Sequence, residues 1–190
     1  MYTRQAIPDV ILLQPKIHGD QRGYFLETFR QDLFVDAVGH EVHFVQDNES
    51  RSTKGVLRGL HYQLAPHAQS KLVRVIKGAV LDVAVDIRRG SPTFGQHVAV
   101  ELNEENKAQL FVPRGFAHGF VVLSDEAIFS YKVDNYYSPE CDRGLAWNDP
   151  ALDIDWRLTE ADIRLSAKDQ QQPLLAQLKD GFDYGVDYYA

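Results

Sequence analysis

The chain lacks the features that mark secreted, membrane-spanning and dinucleotide-binding proteins. Cys141 is its only cysteine, so an intrachain disulfide is impossible and a reducing compartment is expected. Near the start, only residues 10–13 form an apolar run, whereas a secretory signal peptide needs about 7–15 apolar residues. No stretch approaches the roughly 18 apolar residues of a membrane span, and there is no G-x-G-x-x-G fingerprint. We therefore expect a soluble, cytoplasmic protein without a nicotinamide cofactor.

An excess of positive charge is also missing. The 190 residues include 27 acidic and 20 basic side chains, for a formal net charge of -7. Such a surface does not favour nucleic acid, and an anionic ligand would need a local cluster of Arg and Lys. The length fits a single domain over residues 1–190, large enough to bury a substantial core.

Short β-like runs are what the chain has in abundance. They are rich in Val, Ile, Phe and Tyr, several alternate apolar with polar residues, and turn residues separate them. Strands at this spacing predict an all-β fold, an antiparallel sandwich or barrel. Lys77-Gly78, between two of the clearest runs, is interpreted as a hairpin turn, and Arg88-Arg89 as a surface pair beside a turn.

Helices are predicted only near the two ends of the chain. Residues 31–38 (QDLFVDAV), followed by Gly39, have the pattern of a short helix with a glycine C-cap. Residues 173–179 (PLLAQLK) predict a second helix, with proline in its first turn. Residues 149–156 are typical of a loop. The prediction is a β-barrel with an N-terminal segment and a C-terminal helical extension.

Three segments place polar residues inside otherwise apolar strands. They are RGLHYQ with Lys71 on the following strand, PRGFAH, and the Tyr131-Lys132 pair followed much later by Lys168-Asp169. Taken singly, a strand histidine or tyrosine is more often structural than catalytic, and His18, His40, His43, His67 and His97 are interpreted in that way.

Together these segments resemble the two sequence boxes of the cupin barrel. Gly55, His61 and Gly78 match the first box, and Pro113, Gly115 and His118 match the second. Metal-binding cupins have His-x-His and a carboxylate in the first box. Here Gln63 replaces the second histidine and Lys71 lies near the position of the acid. An ammonium group has no lone pair for a cation, so no metal is expected.

The resemblance becomes more specific over longer segments. RGLHYQ, KLVRVIKGAVLDVAVDIRRGSPTFG, VPRGFAHGFVVLS and YKVDNYYSPE are together very similar to the dTDP-4-dehydrorhamnose 3,5-epimerase family, and the likeness extends in order over nearly the whole chain. It implies a cupin-type antiparallel jelly roll and cofactor-free inversion of two carbons beside the ketone of a dTDP-4-keto-6-deoxyhexose.

Epimerisation beside a ketone needs a base, a stabiliser for the enolate oxygen and an acid on the opposite face. Histidine suits proton abstraction near neutral pH. By the resemblance, His61 is the base, Asp169 orients it, Lys71 stabilises the enolate and Tyr131 is the acid.

The resemblance also implies the substrate contacts and the assembly. Arginine suits phosphate recognition, and the residues that match substrate-contacting positions are Arg22, Glu27, Gln46, Asp47, Asn48, Arg58, Lys71, His118, Asp142 and Lys168. Asp142 stands where the family often has a glutamate. Because the N-terminal part crosses to a second subunit in this family, a homodimer is expected.

Three other functions remain open on the sequence alone. A relative that inverts only one carbon would share the same catalytic residues. A metal-dependent cupin oxygenase would need bound iron or a similar ion. A sugar-binding cupin without activity would not need His61, Lys71, Tyr131 and Asp169 together.

Overall fold

The computed structural model describes residues 1–190. Runs of alternating apolar and polar residues, and runs of apolar residues alone, form most of its secondary structure. There is one α-helix, α1 (Gln31–Val38), and there are single turns of 3-10 helix at Glu160–Asp162, Asp169–Gln171 and Leu175–Gln177. The strands are β1 (Tyr2–Arg4), β2 (Ile11–Leu13), β3 (His18–Asp20), β4 (Gly23–Phe25), β5 (Gln46–Thr53), β6 (Leu57–Gln63), β7 (Lys71–Lys77), β8 (Ala79–Asp86), β9 (Arg88–Arg89), β10 (His97–Asn103), β11 (Gln109–Val112), β12 (Phe116–Val122), β13 (Glu126–Val133), β14 (Asp142–Gly144) and β15 (Phe182–Asp183).

Two large sheets form the centre of the molecule. One has six strands in the order β1-β2-β11-β7-β13-β5, and the other has five in the order β10-β8-β12-β6-β14. Their strands pair antiparallel throughout, so the prediction of an antiparallel all-β fold of jelly-roll type is confirmed. Val73 and Val75 of one sheet and Val80 and Ala84 of the other share one buried core. No strand pair joins the two sheets, which therefore form a sandwich and not a closed barrel.

Helix α1 covers the outer face of the six-stranded sheet. Its Phe34 packs edge-on against Phe111 of β11, with 5.2 Å between ring centroids. The helix ends at Gly39, whose φ of 90° is in the left-handed region and whose N–H donates to the Val35 carbonyl. The predicted helix and its glycine C-cap are thus confirmed. No helix in the chain has both the length and the apolar character needed to cross a membrane.

The C-terminal part covers the outer face of the five-stranded sheet. Residues 149–156 contain neither helix nor strand, as predicted, and bury Leu152 and Trp156 in a core shared with side chains of the five-stranded sheet. The helix predicted over residues 173–179 is wrong, because only the turn Leu175–Gln177 forms. The backbone there bonds to a loop instead: Leu175 N–H donates to the Asp149 carboxylate and the Pro173 carbonyl accepts from Ala146.

The hairpin predicted at Lys77-Gly78 is also wrong. Strand β7 pairs with β11 and β13, whereas β8 pairs with β10 and β12, so Gly78 carries the chain from one sheet to the other. Its φ is 78°, and a Cβ atom there would lie 2.0 Å from the Glu126 carbonyl oxygen. Glycine is needed at this crossing for both reasons.

Arg88 is not a surface residue as interpreted from the sequence. Its guanidinium pairs with the buried Asp86 at 2.8 Å and with Asp9 at 2.7 Å. Arg88 and Arg89 form β9, which pairs parallel with β15. The pair therefore anchors the C-terminal end of the chain.

Candidate active site

A cleft of about 560 Å³ opens between the two sheets. Side chains of both sheets and of the C-terminal segment line it, namely Asn48, Glu49, Ser50, Val56, Leu57, Arg58, His61, Lys71, His118, Phe120, Phe129, Tyr131, Arg164, Leu165, Ser166, Lys168 and Asp169. It thus brings together all four residues predicted to be catalytic, together with Asn48, Arg58, His118 and Lys168.

A bulge in β6 turns both Arg58 and His61 into the cleft. His61 pairs with His118 of β12, but Arg58 pairs with Phe120, so β6 has one residue more than its partner over this interval. Without the extra residue, positions three apart on a strand would face opposite sides of the sheet. The bulge contains Gly59, whose φ is 138° and whose added Cβ would lie 2.6 Å from the Gly119 Cα.

His61 and Asp169 form a hydrogen-bonded pair although 108 residues separate them. The His61 Nε2 lies 2.5 Å from the Asp169 Oδ1, and the Asp169 side chain is only 4% exposed. Burial alone would raise the pKa of Asp169, but the hydrogen bond and charge of His61, with help from Ser166, hold it below its usual range. The carboxylate therefore stays ionised and accepts the Nε2 proton, which leaves Nδ1 of His61 with the free lone pair.

Lys71 and Tyr131 belong to the opposite sheet. Lys71 opens β7 and pairs with Val133, two residues beyond Tyr131 on β13. Burial lowers the pKa of Lys71 to about 8, although the charges of Asp82 and Asp142 partly oppose this. Burial also raises the pKa of Tyr131, against a smaller opposing effect of Arg58. At neutral pH the cleft thus faces His61 with an ammonium group and a protonated phenol.

A second His–Asp pair lies deeper in the cleft. The His118 Nε2 lies 3.0 Å from both carboxylate oxygens of Asp82, which is fully buried. Burial lowers the pKa of His118, partly offset by Asp82. Sequence reasoning missed Asp82, but the signal existed: an acid interrupts the apolar strand AVLDVAVD, just as polar residues interrupt the other three segments.

Gln63, which matches the second cupin histidine, does not face the cleft. Its amide nitrogen donates to the carbonyls of His67 and Tyr136, and its oxygen accepts from Ser138 N–H at 2.7 Å. No three His, Cys, Asp or Glu side chains are grouped so as to hold a metal ion. The residue that would complete a metal site holds a loop instead.

Strand β5 presents only part of its predicted contact set to the cleft. Asn48 lines the cleft and accepts a hydrogen bond from the Gln46 amide at 2.8 Å. Asp47 is on the opposite, exposed face, where its carboxylate pairs with Lys132 at 2.8 Å. The two-residue period of a strand turns Asp47 away from Asn48, and neither Gln46 nor Asp47 lines the cleft.

Apart from Lys71, the Arg and Lys side chains of the cleft come from β6 and the C-terminal segment. Arg58 donates from Nε to the Ser52 hydroxyl at 3.1 Å. Lys168 stands at the rim and pairs with Asp142, which also accepts from Tyr137. Asp142 itself does not line the cleft. Arg164, which sequence reasoning did not single out, also borders it.

Two predicted contact residues, Arg22 and Glu27, lie outside the cleft lining of their own chain. The Arg22 side chain is 87% exposed and pairs with Asp20, and the Glu27 side chain is 60% exposed. Neither lines the cleft, so a single chain does not assemble the whole predicted set.

The fold is that of a sugar epimerase. The structure matches the crystal structure of the dTDP-6-deoxy-D-glucose-3,5-epimerase of Legionella pneumophila in complex with dTDP-4-keto-L-rhamnose, with a TM-score of 0.93 and 49% sequence identity. The match covers 98% of this chain and 99% of the other.

Sequence comparison narrows this class to one family. The sequence model described as dTDP-4-dehydrorhamnose 3,5-epimerase matches residues 4–177. The enzyme of that name from Shigella flexneri is 61% identical over 153 residues, covering 80% of this chain and 84% of the relative. The one from Pseudomonas aeruginosa is 59% identical over 169 residues, covering 89% and 92%. The chain belongs to the dTDP-4-dehydrorhamnose 3,5-epimerase family.

Proposed function

We propose that the chain converts dTDP-4-dehydro-6-deoxy-D-glucose to dTDP-4-dehydro-L-rhamnose by cofactor-independent epimerisation at C3 and C5. The observation that carries this proposal is the placement of His61 and Tyr131 on opposite sheets of one cleft. Inversion requires that a proton leave one face of a carbon and that another arrive at the opposite face. A base and an acid on facing walls supply that geometry.

His61 is the base in this proposal. Its Nδ1 lone pair takes the proton beside the ketone, and the C–H electron pair moves into the enolate. The Asp169 carboxylate, 2.5 Å from Nε2, fixes the ring and stabilises the imidazolium that forms, as the carboxylate does in other His–Asp pairs.

Lys71 stabilises the enolate oxygen. Its ammonium group lines the cleft and is partly buried, and charge stabilisation is stronger in such surroundings than in bulk solvent. The ketone of the substrate is the electron acceptor, so the step needs no redox partner. The Lys71 proton stays on nitrogen, because the enolate needs only its charge.

Tyr131 completes the inversion. Its O–H donates a proton to the face of the carbon opposite His61 while the enolate electrons return to form the new C–H bond. Because burial keeps the pKa of Tyr131 above its ordinary value, the phenol is protonated at neutral pH. Water then restores the proton on Tyr131 and removes the one on His61.

The nucleotide diphosphate needs cations that the cleft provides at its rim. Arg58 and Lys168 border the cleft, and a guanidinium group forms charge-assisted bonds to phosphate oxygens. Asn48 and His118 are suited to hydrogen bonds with the sugar or the base.

The exposed positions of Arg22 and Glu27 support a homodimer with shared sites. Both lie near the exposed aromatic side chains Tyr24 and Phe25 on and beside the β3–β4 hairpin. If they contact substrate, they do so in the cleft of a second copy. In a two-fold dimer, the exposed residues of each copy can complete the cleft of the other copy.

Mixed dimers test this arrangement. Arg22→Ala and His61→Ala chains, each inactive alone, should regain about a quarter of wild-type activity when unfolded and refolded together, because half the dimers are mixed and each has one intact site. A monomer by light scattering, or no recovery of activity in mixtures shown to contain mixed dimers, would refute shared sites.

Solvent exchange tests the reaction itself. The protein is incubated with dTDP-4-keto-6-deoxyglucose in deuterated water, the ring protons are followed by NMR, and a parallel tube with the next reductase and NADPH traps the product. Deuterium at both C3 and C5, with trapped dTDP-rhamnose, supports the proposal. Exchange at one carbon alone would indicate a single-centre epimerase. No exchange at either carbon would refute an epimerase function.

A further inference from the structure

The C-terminal tail, residues 182–190, is packed onto the fold beyond the segment that matches the family model, which ends at residue 177. Phe182 is buried and pairs with Arg88 across the parallel β9–β15 contact. The Tyr188 ring packs edge-on against Phe182, and its hydroxyl accepts from Asp183 N–H at 2.8 Å. The tail thus has its own defined contacts.

Tyr189, the next-to-last residue, closes over Arg114. Its hydroxyl accepts from the Arg114 backbone N–H at 3.1 Å, and the guanidinium lies 4.9 Å from the centre of its ring. The guanidinium also donates to the Tyr188 carbonyl. Burial raises the pKa of Tyr189 to about 12, so the hydroxyl remains neutral and available as an acceptor.

Arg114 in turn holds a buried carboxylate. Its Nε donates to Asp134 at 3.0 Å, and the other carboxylate oxygen of Asp134 accepts from Ser70 N–H at 2.7 Å. The Asp134 side chain is only 3% exposed. Removing one partner of such a buried pair leaves an uncompensated charge, so the paired geometry is strongly favoured.

This chain of contacts ends beside the cleft. Ser70 immediately precedes Lys71, and Asp134 immediately follows Val133, the strand partner of Lys71. We infer that the contacts from Tyr189 through Arg114 and Asp134 to Ser70 position Lys71 for catalysis. This inference rests on the proposed function, in which Lys71 stabilises the enolate.

Lys71 needs such support because its own head group is held only by longer-range forces. Burial and the charges of Asp82 and Asp142 act on it, without a side-chain hydrogen bond. The position of its ammonium group therefore depends on the backbone at the start of β7. A misplacement of about 1 Å can reduce a rate roughly 100-fold, so a partial loosening has a measurable effect.

Tail variants test the inference through kcat and KM in the reductase-coupled assay. Tyr189→Ala should lower kcat about tenfold, with KM within about twofold of wild type, as expected for a group that acts in the transition state. Tyr189→Phe keeps the ring and removes only the hydroxyl, so a loss of about threefold is expected, and it provides the test if the alanine variant does not fold. Tyr184→Ala is the control, because Tyr184 is an exposed tail tyrosine whose ring contacts Arg88 and takes no part in the contacts from Tyr189 to Ser70.

A double-mutant cycle separates positioning from a general structural role. In a Lys71→Ala background, measured by slow deuterium exchange, Tyr189→Ala should cause little further loss, because the group it positions is absent. Wild-type kcat in both Tyr189 variants, or losses that multiply fully in the double mutant, would overturn the inference. A wild-type protein that exchanges no ring protons would instead overturn the proposed function, and this inference with it.

Discussion

Replacing Lys71 with methionine should make the protein more stable while it abolishes activity. Lys71 is half-buried at the cleft wall, and burial lowers its pKa from 10.5 to about 8. A lowered lysine pKa means that the folded protein holds the charged form at a cost. Methionine has a similar length and no charge, so it fills the space without that cost.

The size of the effect follows from the pKa difference. A shift from 10.5 to about 8 corresponds to about 3 kcal/mol, at about 1.4 kcal/mol for each pKa unit. Water in the open cleft screens part of this, and Asp82 loses a favourable charge when Lys71 is removed, so we expect a gain of about 2 kcal/mol. For a chain of this length that raises the Tm by roughly 4–8 °C.

The gain should depend on pH with a defined sign. Below pH 8 the lysine is charged in both states, so the cost of burying it is fully present. Between the folded pKa of about 8 and the ordinary value of 10.5, the folded protein has lost the proton that the unfolded chain still binds, and the cost disappears as pH rises. At pH 9.5 the advantage of Lys71→Met should fall to about 1 kcal/mol.

Calorimetry and urea unfolding at pH 7 and pH 9.5 provide the measurement, with epimerisation followed in parallel. Lys77→Met is the matched control, because Lys77 lies on the same strand but is exposed and pairs with Glu126; its effect should stay below about 1 kcal/mol and activity should be retained. A Lys71→Met protein that is less stable than wild type at both pH values, or equally stabilised at both, would refute the argument.

Three further substitutions and one control substitution test the site and the bulge that shapes it. Asp169→Asn should lower kcat roughly 100-fold or more with little change in KM, and a KM effect alone would contradict its role in orienting His61. The Tyr131→Phe variant should still exchange the ring protons of the substrate with deuterated water by way of His61, but the reductase should trap little inverted product. Full inversion would exclude Tyr131 as the acid. Gly59→Ala should destabilise the protein by about 2–4 kcal/mol, because its Cβ would meet backbone at 2.6 Å. Gly90→Ala, with a φ of 80° and open space, should cost only about 1 kcal/mol in the same urea titration.

The sequence by itself determined the local structure and the identity of most cleft residues. The two-residue period of the strands and the glycine after α1 are properties of neighbouring residues, so the all-β class and the N-terminal helix could be predicted. His61, Lys71 and Tyr131 stood out because they interrupt apolar strands, and the resemblance to a family assigned them roles. Asp82 carried the same signal and could have been found in the same way.

Only the tertiary structure decided which of these residues meet. Asp169 reaches His61 across 108 residues, and the bulge at Gly59 turns Arg58 and His61 to the same side. Gly78 begins a crossing between sheets instead of a hairpin, because strand partners are chosen by the packing of whole sheets. Such choices depend on the free energy of contacts between distant segments, to which the turn residues contribute little. Residues 173–179 likewise do not form the hydrogen bonds of a helix, because their backbone bonds to a loop that lies beside them only in the folded chain.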